Sequence, residues 1–126
     1  MENHIQSFTG LQAWKEAHKF VLMIYKITNE FPKSEIFGLT SQIRRAAVSI
    51  SSNIAEGFSR KSPNEKIQFY HIALGSLTET QNQLLIGRDV TYIPLSAFGT
   101  AASQSTTVSK LINGLIKSQK QRILTP

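Results

Sequence analysis

Apolar residues recur at alternating spacings of three and four along most of this sequence. The first such series is Trp14, Ala17, Val21, Ile24, Thr28 and Phe31. This spacing places side chains on one face of an α-helix, and no stretch of useful length shows the strict alternation of a half-buried strand. Because a proline ring prevents a helix from continuing, we expect the first helix to end at Pro32. The pattern restricts the chain to an all-α fold.

Two further segments repeat the helical period with clear boundaries. The second helix opens at Gly38, and we expect it to give way to a turn at Gly57 and residues 59–61. Its predicted core face comprises Leu39, Ile43, Ala46, Ala47, Ile50, Ile54 and Gly57. The third helix follows Ser62-Pro63-Asn64-Glu65, a capping box with proline at the first helical position. Its predicted core face comprises Ile67, Tyr70, Leu74, Leu77, Gln81, Leu84 and Arg88.

The fourth helix is predicted from about Ser96 to Arg122, although residues 99–109 are rich in Ser, Thr and Gly, which are poor helix formers. With 126 residues, the chain has the size of one domain, which we expect to cover residues 1–126. Four helices joined by short turns predict an antiparallel up-and-down four-helix bundle.

Cysteine usage and hydropathy narrow the class of protein further. There is no cysteine, which excludes disulfides, cysteine zinc sites and thiol nucleophiles. Residues 1–4 lack the basic and apolar regions of a secretory signal, and the longest apolar run, Phe20–Tyr25, is too short to span a membrane. We therefore expect a cytoplasmic protein with no membrane partner.

The net charge of +6 is concentrated in two segments. Residues 33–62 carry five basic and two acidic residues, and residues 96–126 carry four basic residues and no acidic one. Nucleic acid favours such clusters, because cationic contacts with phosphates release condensed counterions. The candidate nucleic-acid-binding residues are Arg44, Arg45, Arg60, Lys61, Lys110, Lys117, Lys120 and Arg122. Two of these assignments have an alternative. Lys117, Lys120 and Arg122 could instead complement the dipole of a helix C-terminus, and Arg44 could instead serve an interface between subunits.

Two helices have more apolar or small surface than a single bundle needs. The apolar arc of the first helix covers about half of its circumference, and a flank of the second helix carries mostly small side chains. We expect these surfaces to pack against another copy of the chain. The candidate interface residues are Phe20, Leu22, Ala47, Val48, Ser51 and Ala55.

The sequence contains no recognisable catalytic constellation. His4, His18 and His71 are widely separated, and Asp89 is the only aspartate. The pairs of Glu-x-x-His that build a di-iron site in a bundle are absent, as are glycine-rich phosphate loops. We predict that the protein is not an enzyme and takes no metal, cofactor or small-molecule substrate.

Three segments carry a family resemblance: the run from Gly38 to Gly57, which begins GLTSQIRRAAVSI, Ile72–Leu77 with the acid Glu79, and Leu111–Ile116. They resemble the bacterial four-helix-bundle proteins encoded in intervening sequences of large-subunit ribosomal RNA genes, often labelled as ribosomal proteins. The resemblance covers about Phe8 to Gln119. It implies an up-and-down bundle assembled as a homopentameric ring, with a role in binding ribosomal RNA or another nucleic acid and no catalytic activity.

The expected function is therefore the binding of structured RNA through basic surfaces repeated around a ring. The alternative is a protein-interaction scaffold whose positive surface meets an acidic protein partner. A steep, log-linear dependence of nucleic-acid affinity on salt would separate the two.

Overall fold

The computed structural model describes residues 5–125, so residues 1–4 and 126, including His4, lie outside the described part. It contains four α-helices: α1 (Gln12–Thr28), α2 (Leu39–Ser59), α3 (Pro63–Asp89) and α4 (Leu95–Leu124). Short 3-10 turns cover Phe8–Gly10 and Lys33–Glu35, and the described residues contain no β-strand. Each helix packs against the next, and α4 closes the bundle on α1. The predicted all-α up-and-down bundle is confirmed.

Contacts between α2 and α3 demonstrate their antiparallel course. Arg45 near the start of α2 reaches Glu79 in the second half of α3, whereas Gly57 near the end of α2 lies against Tyr70. Because neighbouring helices run in opposite directions, the bundle has two ends at which helix termini and connections meet. We call residues 56–66 and 110–125 the basic end, and residues 28–45 and 79–98 the opposite end. No helix in the described residues is apolar over a length sufficient to cross a bilayer.

The buried residues of α2 agree with its predicted core face, whereas those of α3 differ in part from the prediction. In α2, Ile43, Ile50 and Ile54 are fully buried. In α3, Leu74 and Gln81 are only half-buried, while Ala73 and Thr80 are fully buried. The reason is that α3 packs against both α2 and α4, so its buried arc extends to a neighbouring strip of small side chains.

Two predicted helix ends differ from those observed. The first helix ends at Thr28, because residues 29–31 form a turn that buries Phe31 before Pro32 is reached. The second continues through Gly57 to Ser59. A Cβ atom at Gly57 would lie 2.6 Å from Cε1 of Tyr70, so this glycine serves close helix packing rather than a turn. The Ser- and Thr-rich residues 99–109 are helical throughout, as predicted.

Candidate nucleic-acid interface

The turn between α2 and α3 presents a lysine at the basic end. Residues 60–62 join the two helices, and the Ser62 hydroxyl accepts a hydrogen bond from the Glu65 amide at 3.1 Å. This bond is the one that the capping-box sequence predicts. The short connection leaves Lys61 exposed at its tip, where an anionic partner can approach it from solvent.

Lys66 lies beside this turn and was missed in the sequence analysis. Its ammonium group donates to the carbonyl oxygens of Phe58 at 2.6 Å and Gly57 at 3.3 Å. These carbonyls belong to the last turn of α2, where a cation is favourable. Burial lowers the pKa of Lys66, and the positive charge of nearby Arg122 lowers it further. This effect of Arg122 on Lys66 indicates that the end of α4 lies close to the start of α3. A lysine in the second turn of α3, after so short a connection, is the sequence signal for this contact.

The second half of α4 supplies the other bases of this end. Lys110, Lys117, Lys120 and Arg122 are all exposed. Within the described residues none of them forms an ion pair, and the sequence contains no acidic residue after Asp89. Their charges are therefore available to an external partner. Among the described residues, Arg122 donates a hydrogen bond only to the side-chain oxygen of Gln119, at 3.1 Å.

Arg60 occupies the same end but is used within the chain. Because α2 continues past Gly57, Glu56 and Arg60 lie one helical turn apart, and their side chains pair at 2.9 Å. The guanidinium group also lies 4.7 Å from the centre of the Phe69 ring. These contacts hold Arg60 against the bundle and neutralise much of its charge.

Arg44 and Arg45 lie away from this cluster, at the opposite end. Arg44 donates from Nε to the Thr28 hydroxyl at 2.7 Å and from Nη2 to the Asn29 amide oxygen at 3.1 Å. Its guanidinium group also lies 4.6 Å from the centre of the Tyr25 ring, so it ties α2 to α1. Arg45 pairs with Glu79 at 2.8 Å. The positions of Arg45 and Arg60 along α2 differ by about 22 Å.

The eight predicted residues therefore do not form one surface. The structure brings Lys61, Lys110, Lys117, Lys120 and Arg122 to the basic end, with Lys110 nearest the middle of α4. It adds Lys66 and engages Arg60 in an ion pair. Arg44 and Arg45 are separated from this group and have partners within the chain.

The predicted interface residues also divide. Phe20 and Ala47 are 0% exposed, so their side chains belong to the core of one copy. A role for these two at a surface between copies was therefore a wrong prediction: both residues face the centre of their own bundle. Leu22 and Val48 are exposed, and Ser51 and Ala55 are half-buried, so these four remain accessible to another copy.

The remaining polar groups form no metal cluster in residues 5–125. His18 stacks on Trp14 with 4.8 Å between ring centres, and His71 is exposed on α3. A groove of about 560 Å³ between α1 and α4 is lined mainly by apolar side chains, including Met23, Ile27 and Ala97. Its charged lining residues are Lys26 and Glu30, a lysine and a glutamate one helical turn apart.

Comparison with known proteins adds two findings. Residues 9–114 match the model of a family described as 23S rRNA-intervening sequence protein. The chain is also similar to a crystal structure, at 1.70 Å resolution, of a protein of unknown function from the S23 ribosomal protein family of Bacteroides thetaiotaomicron. That similarity has a TM-score of 0.74 and 27% sequence identity, and it covers 83% of this chain and 98% of the other. No curated protein matches the sequence.

Proposed function

The chain belongs to the family of 23S rRNA-intervening sequence proteins, and on that premise we propose that it is a non-enzymatic protein that binds structured ribosomal RNA through its basic end. One observation carries the proposal. The basic end has seven basic and two acidic residues, and the bases of α4 have no ion-pair partner among the described residues. The family description refers to ribosomal RNA, which makes RNA the first polyanion to test.

The type of basic residue present favours contact with phosphates over recognition of nucleobases. Four of the five exposed cations at this end are lysines: Lys61, Lys110, Lys117 and Lys120, with Arg122 as the fifth. A lysine acts as a point charge, whereas the planar fork of arginine reads bidentate acceptors. Contacts of this type position a protein on the backbone and carry little sequence information. Selectivity then comes from the shape of the RNA.

Self-assembly is the second part of the proposal. A homopentameric ring would repeat the basic end five times, so that weak contacts add through their effective concentration. The surface proposed for assembly consists of Leu22, Val48, Ser51 and Ala55, of which Leu22 is 56% exposed. Light scattering tests this directly. We expect five times the mass of one chain for the wild type, a smaller mass for Ala55→Arg, and no change for Ser52→Arg on the outer face of α2. An unchanged mass for Ala55→Arg would exclude this surface.

RNA binding is tested by fluorescence anisotropy with a labelled hairpin of 23S ribosomal RNA at several salt concentrations. A matched DNA hairpin runs in parallel. One variant replaces Lys110, Lys117, Lys120 and Arg122 with Gln. The control variant replaces the exposed Lys15, Lys19, Lys26 and Lys33 with Gln, which changes the net charge equally.

We expect the wild type to bind with a steep linear dependence of log Kd on log salt. Loss of four phosphate contacts lowers that slope by about 3 in the first variant. In the control variant the slope should fall by less than about 1. Equal losses in both variants would mean that only the total charge matters. If the wild type binds no RNA at low salt, binding to an acidic protein becomes the better account of the positive surface.

A further inference from the structure

Gly114 is an exposed glycine in the interior of α4. Glycine is the least favourable residue in a helix interior apart from proline, because it loses the most backbone freedom. A Cβ atom at this position would meet no atom within 4 Å, so packing inside the chain does not require a glycine here. Gly57 is different, since its missing side chain accommodates the Tyr70 ring.

The surroundings of Gly114 are basic. Lys110 precedes it by four residues and Lys117 follows it by three, so all three share one exposed face of α4. Neither lysine has an ion-pair partner among residues 5–125, and no acidic residue occurs in residues 90–126. The glycine thus leaves a depression between two cations, on a face of α4 that no other element of the described chain covers.

We propose that this face is where the phosphodiester backbone of the RNA comes closest to the protein. Lys110 and Lys117 then lie on either side of the RNA backbone, and the missing side chain at Gly114 lets the phosphates approach α4 itself. Shorter distances strengthen the attraction between phosphates and ammonium groups, since Coulomb energy varies inversely with distance. The inference rests on the proposed function and adds to it the face of contact and the role of the glycine.

A second glycine in the same helix provides a matched control. Gly99 is also exposed in the interior of α4, and a Cβ atom there would likewise meet no atom within 4 Å. No charged residue lies within a helical turn of Gly99. The substitutions Gly114→Gln and Gly99→Gln therefore add the same neutral side chain to one helix, with and without flanking lysines.

The experiment measures the affinity of both variants for the labelled 23S hairpin at one low salt concentration, together with their melting temperatures. We expect Gly114→Gln to raise Kd about fivefold or more and Gly99→Gln to change it less than about twofold. Both variants should melt at a higher temperature than the wild type, because glutamine is a better helix former than glycine. A higher melting temperature with weaker binding separates loss of contact from loss of fold.

Three results would overturn the inference. If Gly114→Gln binds like the wild type while Lys110→Gln with Lys117→Gln weakens binding, the proposed function survives and the close approach is wrong. If Gly114→Gln changes the mass measured by light scattering, the face contacts a second copy of the chain instead. If the wild type binds no RNA, the proposed function fails and this inference with it.

Discussion

The two ends of the bundle differ in what their charges do. The basic end carries seven basic and two acidic residues, and the opposite end carries four of each. At the opposite end every arginine has a polar partner: Arg44 bonds Thr28 and Asn29, Arg45 pairs with Glu79, and Arg88 pairs with Asp89 at 2.8 Å. At the basic end Arg60 is ion-paired, whereas the cations of α4 have no acidic partner among the described residues. The availability of a charge, rather than its presence in the sequence, distinguishes a binding surface from a structural one.

The opposite end carries exposed apolar side chains, and its basic and acidic residues are equal in number. Phe37 is 93% exposed in the connection between α1 and α2, and Leu95 is 76% exposed at the start of α4. The hydrogen bond between Tyr92 and Glu35, at 2.9 Å, joins the two connections of this end. Such a surface offers little to a phosphate backbone. The comparison therefore favours the basic end for the proposed nucleic-acid contact, and the following changes test that difference.

The largest expected effect on stability comes from the glycines that allow close packing at each end. Gly57→Ala at the basic end should lower the free energy of unfolding by about 1–3 kcal/mol, because the rigid Tyr70 ring has to move. At the opposite end a Cβ atom at Gly87 would lie 2.6 Å from the terminal Cδ1 of Ile93, which can rotate away. We expect Gly87→Ala to lower it by less than about 1 kcal/mol. Urea denaturation measures the free energy of unfolding of both variants. A larger loss for Gly87→Ala than for Gly57→Ala would show that the basic end is the more loosely packed.

The second prediction contrasts one basic residue from each end, Arg44 and Lys117. Arg44→Gln should lower the free energy of unfolding by about 1–2 kcal/mol, because it removes charge-assisted hydrogen bonds between α1 and α2. Its RNA affinity should stay close to that of the wild type. Lys117→Gln should leave stability within about 0.5 kcal/mol and weaken RNA binding. Weaker RNA binding by Arg44→Gln, at a temperature where it remains folded, would contradict the division between the two ends.

The smallest effect concerns the pH dependence of the opposite end. A hydrogen bond from the Leu39 amide lowers the pKa of Glu35, and a bond from the Tyr92 hydroxyl lowers it further. A carboxyl group with a lowered pKa stabilises the folded state above its ordinary pKa. This stability is lost as the pH falls through the lowered value. Glu35→Gln should therefore reduce the loss of stability between neutral and acidic pH. Identical pH profiles for variant and wild type would show that this carboxylate does not support the connections.

Much of the fold was predictable, because apolar spacing and caps are local properties of the sequence. The cap at Ser62 and the core positions Ile43, Ile50 and Ile54 follow directly from such patterns. The end of α1 and the continuation of α2 through Gly57 were not predictable, since they depend on Phe31 and Tyr70 packing across the bundle.

The candidate site was predictable only as a set of charges. Sequence shows that Arg44 and Lys117 are basic, but it does not show that Arg44 has partners on α1 and that Lys117 has no ion-pair partner in residues 5–125. Helix periodicity carries no information about pairing across helices. The burial of Phe20 depends in the same way on which side of the wide apolar arc of α1 meets the core, whereas the burial of Ala47 agrees with the predicted core face of α2. Lys66 was missed because its partners are backbone carbonyl groups of α2, and its position early in α3 after a short connection is the one sequence signal for them.

The most direct test compares lysines within one molecule. Acetylation of surface lysines, measured by mass spectrometry with and without the 23S hairpin, reports which side chains the RNA covers. The account predicts strong protection of Lys61, Lys110, Lys117 and Lys120, and unchanged labelling of Lys15, Lys26 and Lys33, all of which are exposed in the free chain. Protection centred on Lys26 and Lys33, or equal protection of every lysine, would contradict the assignment of RNA contact to the basic end.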